Sequence, residues 1–223
     1  MFRLRPLLLA LTLTACDSQS AEEGPVASTA PEASAAAPPP PPADVNVPVP
    51  ELPVGDTLSV DTAASKILFT GAKITGSHDG GFDEFTGTVV LKDDQVVGAG
   101  FTMVMESTTT DNPKLTKHLK SKDFFHVEKY PEARFVSTSV EPAENPGAVT
   151  HKVKGVLDFH GKQRPLSFPA SINVGAGETT VTASFDINRQ NWGVAYPGKP
   201  DDLIKDDVQI TLNLSFPAQK AAE

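Results

Sequence analysis

The chain has 223 residues, with 19 Lys and Arg against 28 Asp and Glu, a formal charge of −9 and a pI near 5.0. That balance argues against a nucleic-acid binder, which needs a basic face. A single cysteine excludes a disulfide framework and any multi-cysteine zinc site, and no apolar run reaches the roughly 18 residues that a membrane-spanning helix needs.

Residues 1–15, MFRLRPLLLALTLTA, have the layout of an export signal. Arg3 and Arg5 precede a short apolar core from Leu7 to Leu13, too short for a span. Leu13-Thr14-Ala15-Cys16 resembles a bacterial lipobox, where the signal is cut and the cysteine acylated; the plainer alternative is an ordinary signal with a chance cysteine. Acylation of Cys16 is expected, because this only cysteine sits where the apolar core ends and several acyl chains anchor stably. The chain is therefore expected in the cell envelope or periplasm as a membrane-anchored lipoprotein. Asp17 resembles an inner-membrane retention residue of some bacteria.

Residues 16–54 are expected to be a disordered Ala/Pro-rich tether. From 17 to 54 the chain holds 10 of its 20 prolines, six acidic residues, no Lys or Arg and no aromatic residue. Such a stretch buries too little apolar surface to offset its ordering entropy. As a coil it reaches roughly 35 Å. Removing these segments leaves a domain, expected at 55–217 with a tail at 218–223, whose 17 basic and 22 acidic residues give −5.

The domain alternates apolar and polar residues with period two. Strands are predicted from Ile67 and Phe69 and around Phe85, Gly87, Val89, Leu91. A third runs through Val97, Ala99, Phe101, Met103, Met105, with Asp93-Asp94 in the turn before it. Asn112 as N-cap, Pro113 at the first helical position and Leu115/Leu119 four apart predict one short helix. Further strands follow at 132–141 with Phe135, at 152–160 with Leu157, and at 164–174 with Phe168 and Ile172. The last two lie around Phe185 and Ile187 and over 208–216 with Leu212 and Leu214. Eight antiparallel strands and one helix predict an all-β fold: an up-and-down barrel with a helical cover, or a two-sheet sandwich.

HLKSKDFFHVEKYPEARFVST (118–138) resembles a signature of the YceI-like polyisoprenoid-binding family, L-x-S-x-D-F-F-x-V-x-K-Y-P followed by a strand. KGVLDFHGKQRPLSFPASI (154–172) is similar to that family's next hairpin, and ASFDINRQNWGVAYPGKPDDLIKDDVQITLNLSF (183–216) to its last two strands. With SKILFTG (65–71) the resemblance covers nearly all of 56–216. It implies an extended, lipocalin-like eight-stranded antiparallel barrel and an isoprenoid tail bound inside it. ITGSHDGGFDEFTGTV (74–89) departs from family members that have a longer, His-rich opening there, which puts the pocket mouth and the head-group preference in question. The lipobox and tether are also additions to the simple secreted form.

The inward positions supply an apolar wall: Phe69, Phe85, Phe101, Met103, Phe135, Leu157, Phe168, Ile172, Phe185, Ile187, Leu212 and Leu214. Read from the residues alone, they either fill a solid core or line a cavity; the resemblance implies the cavity. Burying some forty apolar carbons at roughly 0.8 kcal/mol each exceeds the affinity ceiling of about 20 kcal/mol. Ordering of the tail must therefore cancel much of the gain. For the head group, Asn188, Arg189, Trp192 and Tyr196 cluster after a strand end. Arg189 could hold a phosphate or a quinone carbonyl and Trp192 could stack on a ring. Alternatively Arg189 pairs with Asp201, Asp202, Asp206 or Asp207 to fix the loop.

No metal site is expected from the spacing of the five histidines, and no catalytic motif is present. The expectation is non-catalytic carriage of an isoprenoid quinone or polyprenyl phosphate, with no cofactor. The expected partners are that lipid, the membrane through Cys16 and, left open, a second copy in a homodimer. Two other readings compete: an enzyme acting on a lipid or hydroperoxide with His160 or His118 as base, and a solid envelope-stress or interaction module.

Overall fold

The alternation read along 208–216 survives as one long strand whose even positions face inward. Its neighbours follow the same rule, so a single apolar face curls around an interior. The computed structural model describes residues 46–218 except Pro146; Cys16, the signal, most of the tether and the tail from 219 lie outside the described residues. The strands are β1 (Asp56–Ser59), β2 (Lys66–Lys73), β3 (Gly76–Phe82), β4 (Phe85–Lys92), β5 (Gln95–Val104), β6 (Thr108–Thr110), β7 (Glu132–Pro142), β8 (His151–Phe159), β9 (Lys162–Val174), β10 (Glu178–Asn188), β11 (Gly198–Lys199), β12 (Asp202–Leu203) and β13 (Asp207–Pro217). One helix, α1 (Pro113–Lys120), sits between β6 and β7.

Eleven of these strands form one antiparallel sheet in the order β1-β4-β5-β7-β8-β9-β10-β13-β2-β3-β6, and β11 pairs with β12. This is the expected mostly-β, lipocalin-like architecture. The eight predicted strands are all present, and β1, β3 and β6 join them. β3 was not predicted because Gly76, Gly80 and Gly81 break its apolar pattern. Gly80 is required there: a Cβ would stand 2.4 Å from the ring of Phe69. The edge strands β1 and β6 do not pair with each other. Instead Val60 N donates to Gly87 O of β4 and Asp61 N to Ser215 O of β13, so the β1–β2 connection bridges the open side.

The interior divides along the strands. On β13, Leu212, Leu214 and Phe216 are buried, whereas Val208 and Ile210 are only partly so. Val181 stands in register with both Ile172 and Leu214, and this row closes one end as solid core. The other end is hollow. α1 forms as predicted, with Asn112 Oδ1 accepting from Lys114 N at 2.9 Å and Leu115 N at 3.4 Å.

Residues 46–53 correct the expected tether boundary. Val47 N donates to Gln163 O at 3.2 Å, and Asn46 Oδ1 accepts from Gln163 N at 2.8 Å. Leu52 and Pro53 lie over Gly100 and Gly98 on the outer face of β5. Outward-pointing Val90, Val136 and Val156 nearby are all buried. A chain without aromatic residues therefore orders here because two glycines leave a trough beside three valines. A Cβ on Gly98 would stand 2.6 Å from Pro53 Cδ. Gly98→Ala is expected to cost about 1–3 kcal/mol by overpacking and to speed amide exchange at Val47. Unchanged exchange there would count against the packing of this strap.

Candidate functional site

The hollow end encloses a cavity of about 310 Å³, at the lower end of the roughly 300–1,000 Å³ of ligand pockets. Nine of the twelve expected inward residues line it: Phe69, Phe101, Met103, Phe135, Leu157, Phe168, Phe185, Ile187 and Leu212. Ring geometry holds the wall. Phe168 stacks on Phe185 with centroids 4.2 Å apart and planes 11° apart, and Phe135 packs against Phe168 at 5.4 Å. Gly155 makes room for Phe135, whose Cζ lies 2.5 Å from where a Cβ would stand. Phe85, Ile172 and Leu214 do not line the cavity. They face inward as expected but pack in the main core, Ile172 and Leu214 in its closed row.

Other strand residues, among them Ile67, Phe159 and Ile210, extend this wall, and segments that are not strands complete it. Leu115 and Leu119 of α1, Phe124 and Phe125 after it, and Val194 and Ile204 from the 189–206 loop close over the sheet. Strand periodicity could not find these residues. The sequence signals for them are the four-residue spacing of Leu115 and Leu119 on the predicted helix and the adjacent pair Phe124-Phe125.

The four expected head-group residues build the loop instead of a polar rim, which corrects that assignment. Arg189 is 5% exposed. Its Nε donates to Lys205 O at 3.1 Å, and Nη1 donates to Val194 O. Its Nη2 donates to Ile204 O at 3.3 Å and to Asp206 Oδ1 at 3.0 Å. It lines the cavity, but its donors are committed to the loop, the alternative the sequence left open. Trp192 is buried, and its Nε1 donates to Leu157 O at 3.0 Å. Asn188 caps the 3₁₀ turn Arg189–Trp192 by accepting from Gln190 N. Tyr196 packs on His118 and Phe124 with centroids 5.0 and 5.1 Å away.

The polar groups that do reach the cavity, besides Arg189, are Lys73 and His78, both in or beside the divergent 74–89 segment. Lys73 pairs with Asp202, which also accepts from Thr75 Oγ1 at 3.0 Å. Lys73 first, and Thr75 after it, hold the Asp202 carboxyl below its ordinary range, against the opposing effect of desolvation. His78 Nδ1 lies 2.9 Å from Asp111 Oδ1. Both side chains carry N–H donors suited to a carbonyl or a phosphate oxygen.

Neither histidine of the enzymatic alternative lines the cavity. His118 Nε2 meets the exposed Asp123 at 3.1 Å. His160 occupies the β8–β9 turn with φ 50°, followed by Gly161 at φ 73°, a type I′ pair. Its Nδ1–H donates to Trp192 O at 3.1 Å, and its ring packs on Tyr130 with centroids 4.5 Å apart. Burial chiefly lowers its pKa; the bond to Trp192 O works the other way, and His126, Lys129 and Lys162 add to the lowering. Burial also lowers His151. With the folded value below the unfolded one, near 6.5, the unfolded chain binds the proton first. Stability is complete above that pH and falls as pH drops through it. His160→Gln should weaken the decline of Tm between pH 7 and pH 5, leaving the His151 part; an unchanged slope would refute the assignment.

The chain matches the YceI-like domain over residues 58–216. A UPF0312 protein of Pseudomonas putida (strain GB-1) is 32% identical over 110 residues, which cover 47% of this chain and 56% of that relative. The match thus spans little more than half of the curated relative. BcnA of Burkholderia cenocepacia superposes with a TM-score of 0.62 at 25% identity, covering 70% of this chain and 98% of that one. A polyisoprenoid binding domain from Saccharophagus degradans superposes with a TM-score of 0.58 at 16% identity, covering 72% and 98%.

Proposed function

The chain belongs to the YceI-like domain family, and on that premise we propose that it binds a long-chain isoprenoid amphiphile without catalysis and carries it in the bacterial envelope. The observation that carries this reading is the cavity of about 310 Å³ walled by phenylalanine and aliphatic side chains from nine predicted positions. An apolar wall takes an apolar tail, and methylene contacts discriminate length weakly. For the head group of an isoprenoid quinone or a polyprenyl phosphate, Lys73 and His78 are the candidate donors. Cys16, once acylated, holds the protein to the membrane while the tether gives reach.

Native mass spectrometry of the purified protein tests the reading. A bound isoprenoid, or its uptake in titration, is the expected result; a protein that stays empty after titration refutes it. Cys16→Ala should move the protein from the membrane pellet to the soluble envelope fraction. Retention in the pellet would refute the anchor.

A further inference from the structure

One edge of the cavity mouth is built from the β2–β3 tip and the stretch Leu203 to Lys205. Ala72, Lys73 and Ile204 all line the cavity. Lys73 and Ile204 form a β-bridge, Ile74 N donates to Leu203 O at 3.2 Å, and Lys205 N donates to Ala72 O at 2.8 Å. Gly71 lines the cavity too, and nothing lies within 4 Å of where its Cβ would stand, so the space before it is unfilled. Ile74 and Leu203, two of the five large apolar side chains exposed among the described residues, sit on this edge, 66% and 47% exposed. A lone exposed leucine needs no explanation. Two hydrogen-bonded neighbours at the opening of an apolar cavity make a patch continuous with its lining.

The surrounding charge selects the partner. These segments carry Lys73, Arg189, Lys199 and Lys205 with Asp201, Asp202, Asp206 and Asp207, and Asp111 stands beside His78; Lys73–Asp202 and Arg189–Asp206 are ion pairs. With the acids at least matching Lys and Arg, there is no basic cluster that reads anionic lipid. That leaves apolar insertion as the attractive term. Antiparallel pairing also puts the β8–β9 turn, the 189–206 loop and the β2–β3 tip at one end of the sheet. Asn46 and Val47, where the tether joins the domain, are bonded at that end through Gln163.

We propose that Ile74 and Leu203 form a bilayer-docking tip that seats the cavity mouth in the head-group region of a membrane. Its purpose rests on the isoprenoid reading above: a guest insoluble in water then crosses from bilayer to cavity along apolar surface.

The test uses the full membrane-anchored chain in vesicles of phosphatidylethanolamine and phosphatidylglycerol. Tryptophan placed at Leu203 should be quenched by brominated acyl chains. The same residue placed at exposed Val149, at the other end of the sheet, and buried Trp192 should be spared. Ile74→Ser with Leu203→Ser should slow transfer of a polyprenol from vesicles by about tenfold or more, while uptake from a cyclodextrin complex is unchanged. Equal quenching at 203 and 149, or vesicle transfer at the parent rate, overturns the proposal. So does lipid-free, concentration-dependent emission at 203, which would assign the patch to self-association. If neither source delivers guest, the cavity reading fails, and the quenching still decides the docking.

Discussion

Ile187→Trp is expected to reduce isoprenoid uptake by about a hundredfold while leaving the fold intact. Ile187, next to last in β10, is in register with Val208, and both line the cavity. It is only partly buried because its free face looks into the hollow. An indole there takes space from the guest rather than from neighbouring side chains, so the steric cost falls on binding. Overpacking of about 1–3 kcal/mol, at 1.4 kcal/mol per tenfold, gives the scale. Tm should stay level or rise, because added apolar contact offsets lost side-chain freedom. Phe185→Ala is the converse. It removes the stack on Phe168 and enlarges the cavity, so it should cost about 3 kcal/mol of stability but keep uptake. Isothermal titration with a short-chain prenol and thermal melting separate the two effects. Parent-like affinity in Ile187→Trp would show that the guest does not occupy this cavity.

The contrast between Ile187 and Leu214 shows how far the sequence reached. Both were predicted to face inward, and both do. Alternation reports which face a side chain takes, because the strand period is two. It is silent on depth along the barrel axis. Ile187 and Leu212 meet the hollow end; Leu214 and Ile172, identical in pattern, meet Val181 in the solid end. Depth is set by where helix α1 and the 121–131 and 189–206 loops close over the sheet, and those placements depend on contacts far apart in sequence.

The mouth is hard to read from sequence for a related reason. Arg189, Trp192, Asn188 and Tyr196 stood together after a strand in a loop rich in Gly and Pro, a pattern shared by ligand loops and by loops that fix themselves. Only the carbonyl oxygens of Val194, Ile204 and Lys205 decide between these, and backbone acceptors carry no sequence signature. His78 carries no sequence signal because β3 is glycine-rich and reads as a loop. Pairing of Gly71 with His78 across β2 and β3 brings that histidine to the cavity. The strap of residues 46–53 was hidden by composition: it orders through Gly98 and Gly100 of another segment.

Arg189→Ala should be the most destabilising single change at the site, and it separates a loop-building arginine from a ligand-binding one. Arg189 is 5% exposed, and its guanidinium bonds go to three carbonyls and one carboxylate. Asp206 is 47% exposed on its side chain, so water screens that ion pair and it contributes under about 1 kcal/mol. The carbonyls dominate: each buried acceptor left without a donor costs about 1–3 kcal/mol. Some rehydration through the opened loop lowers the sum, leaving about 3–5 kcal/mol. At roughly 2–4 °C per kcal/mol for a domain of this size, Tm should fall by about 6–20 °C. Lysine should not rescue it, since one ammonium cannot span acceptors that the planar fork reaches from three nitrogens. Asp206→Ala, by contrast, should move Tm by only about 2–4 °C or less. Amide exchange at Val194 and Ile204, whose N–H groups bond Arg189 O and Pro197 O, should rise in Arg189→Ala and not in Asp206→Ala. Lower affinity for a phosphorylated guest with Tm unchanged would instead return Arg189 to the head group and remove it from the architecture of the loop.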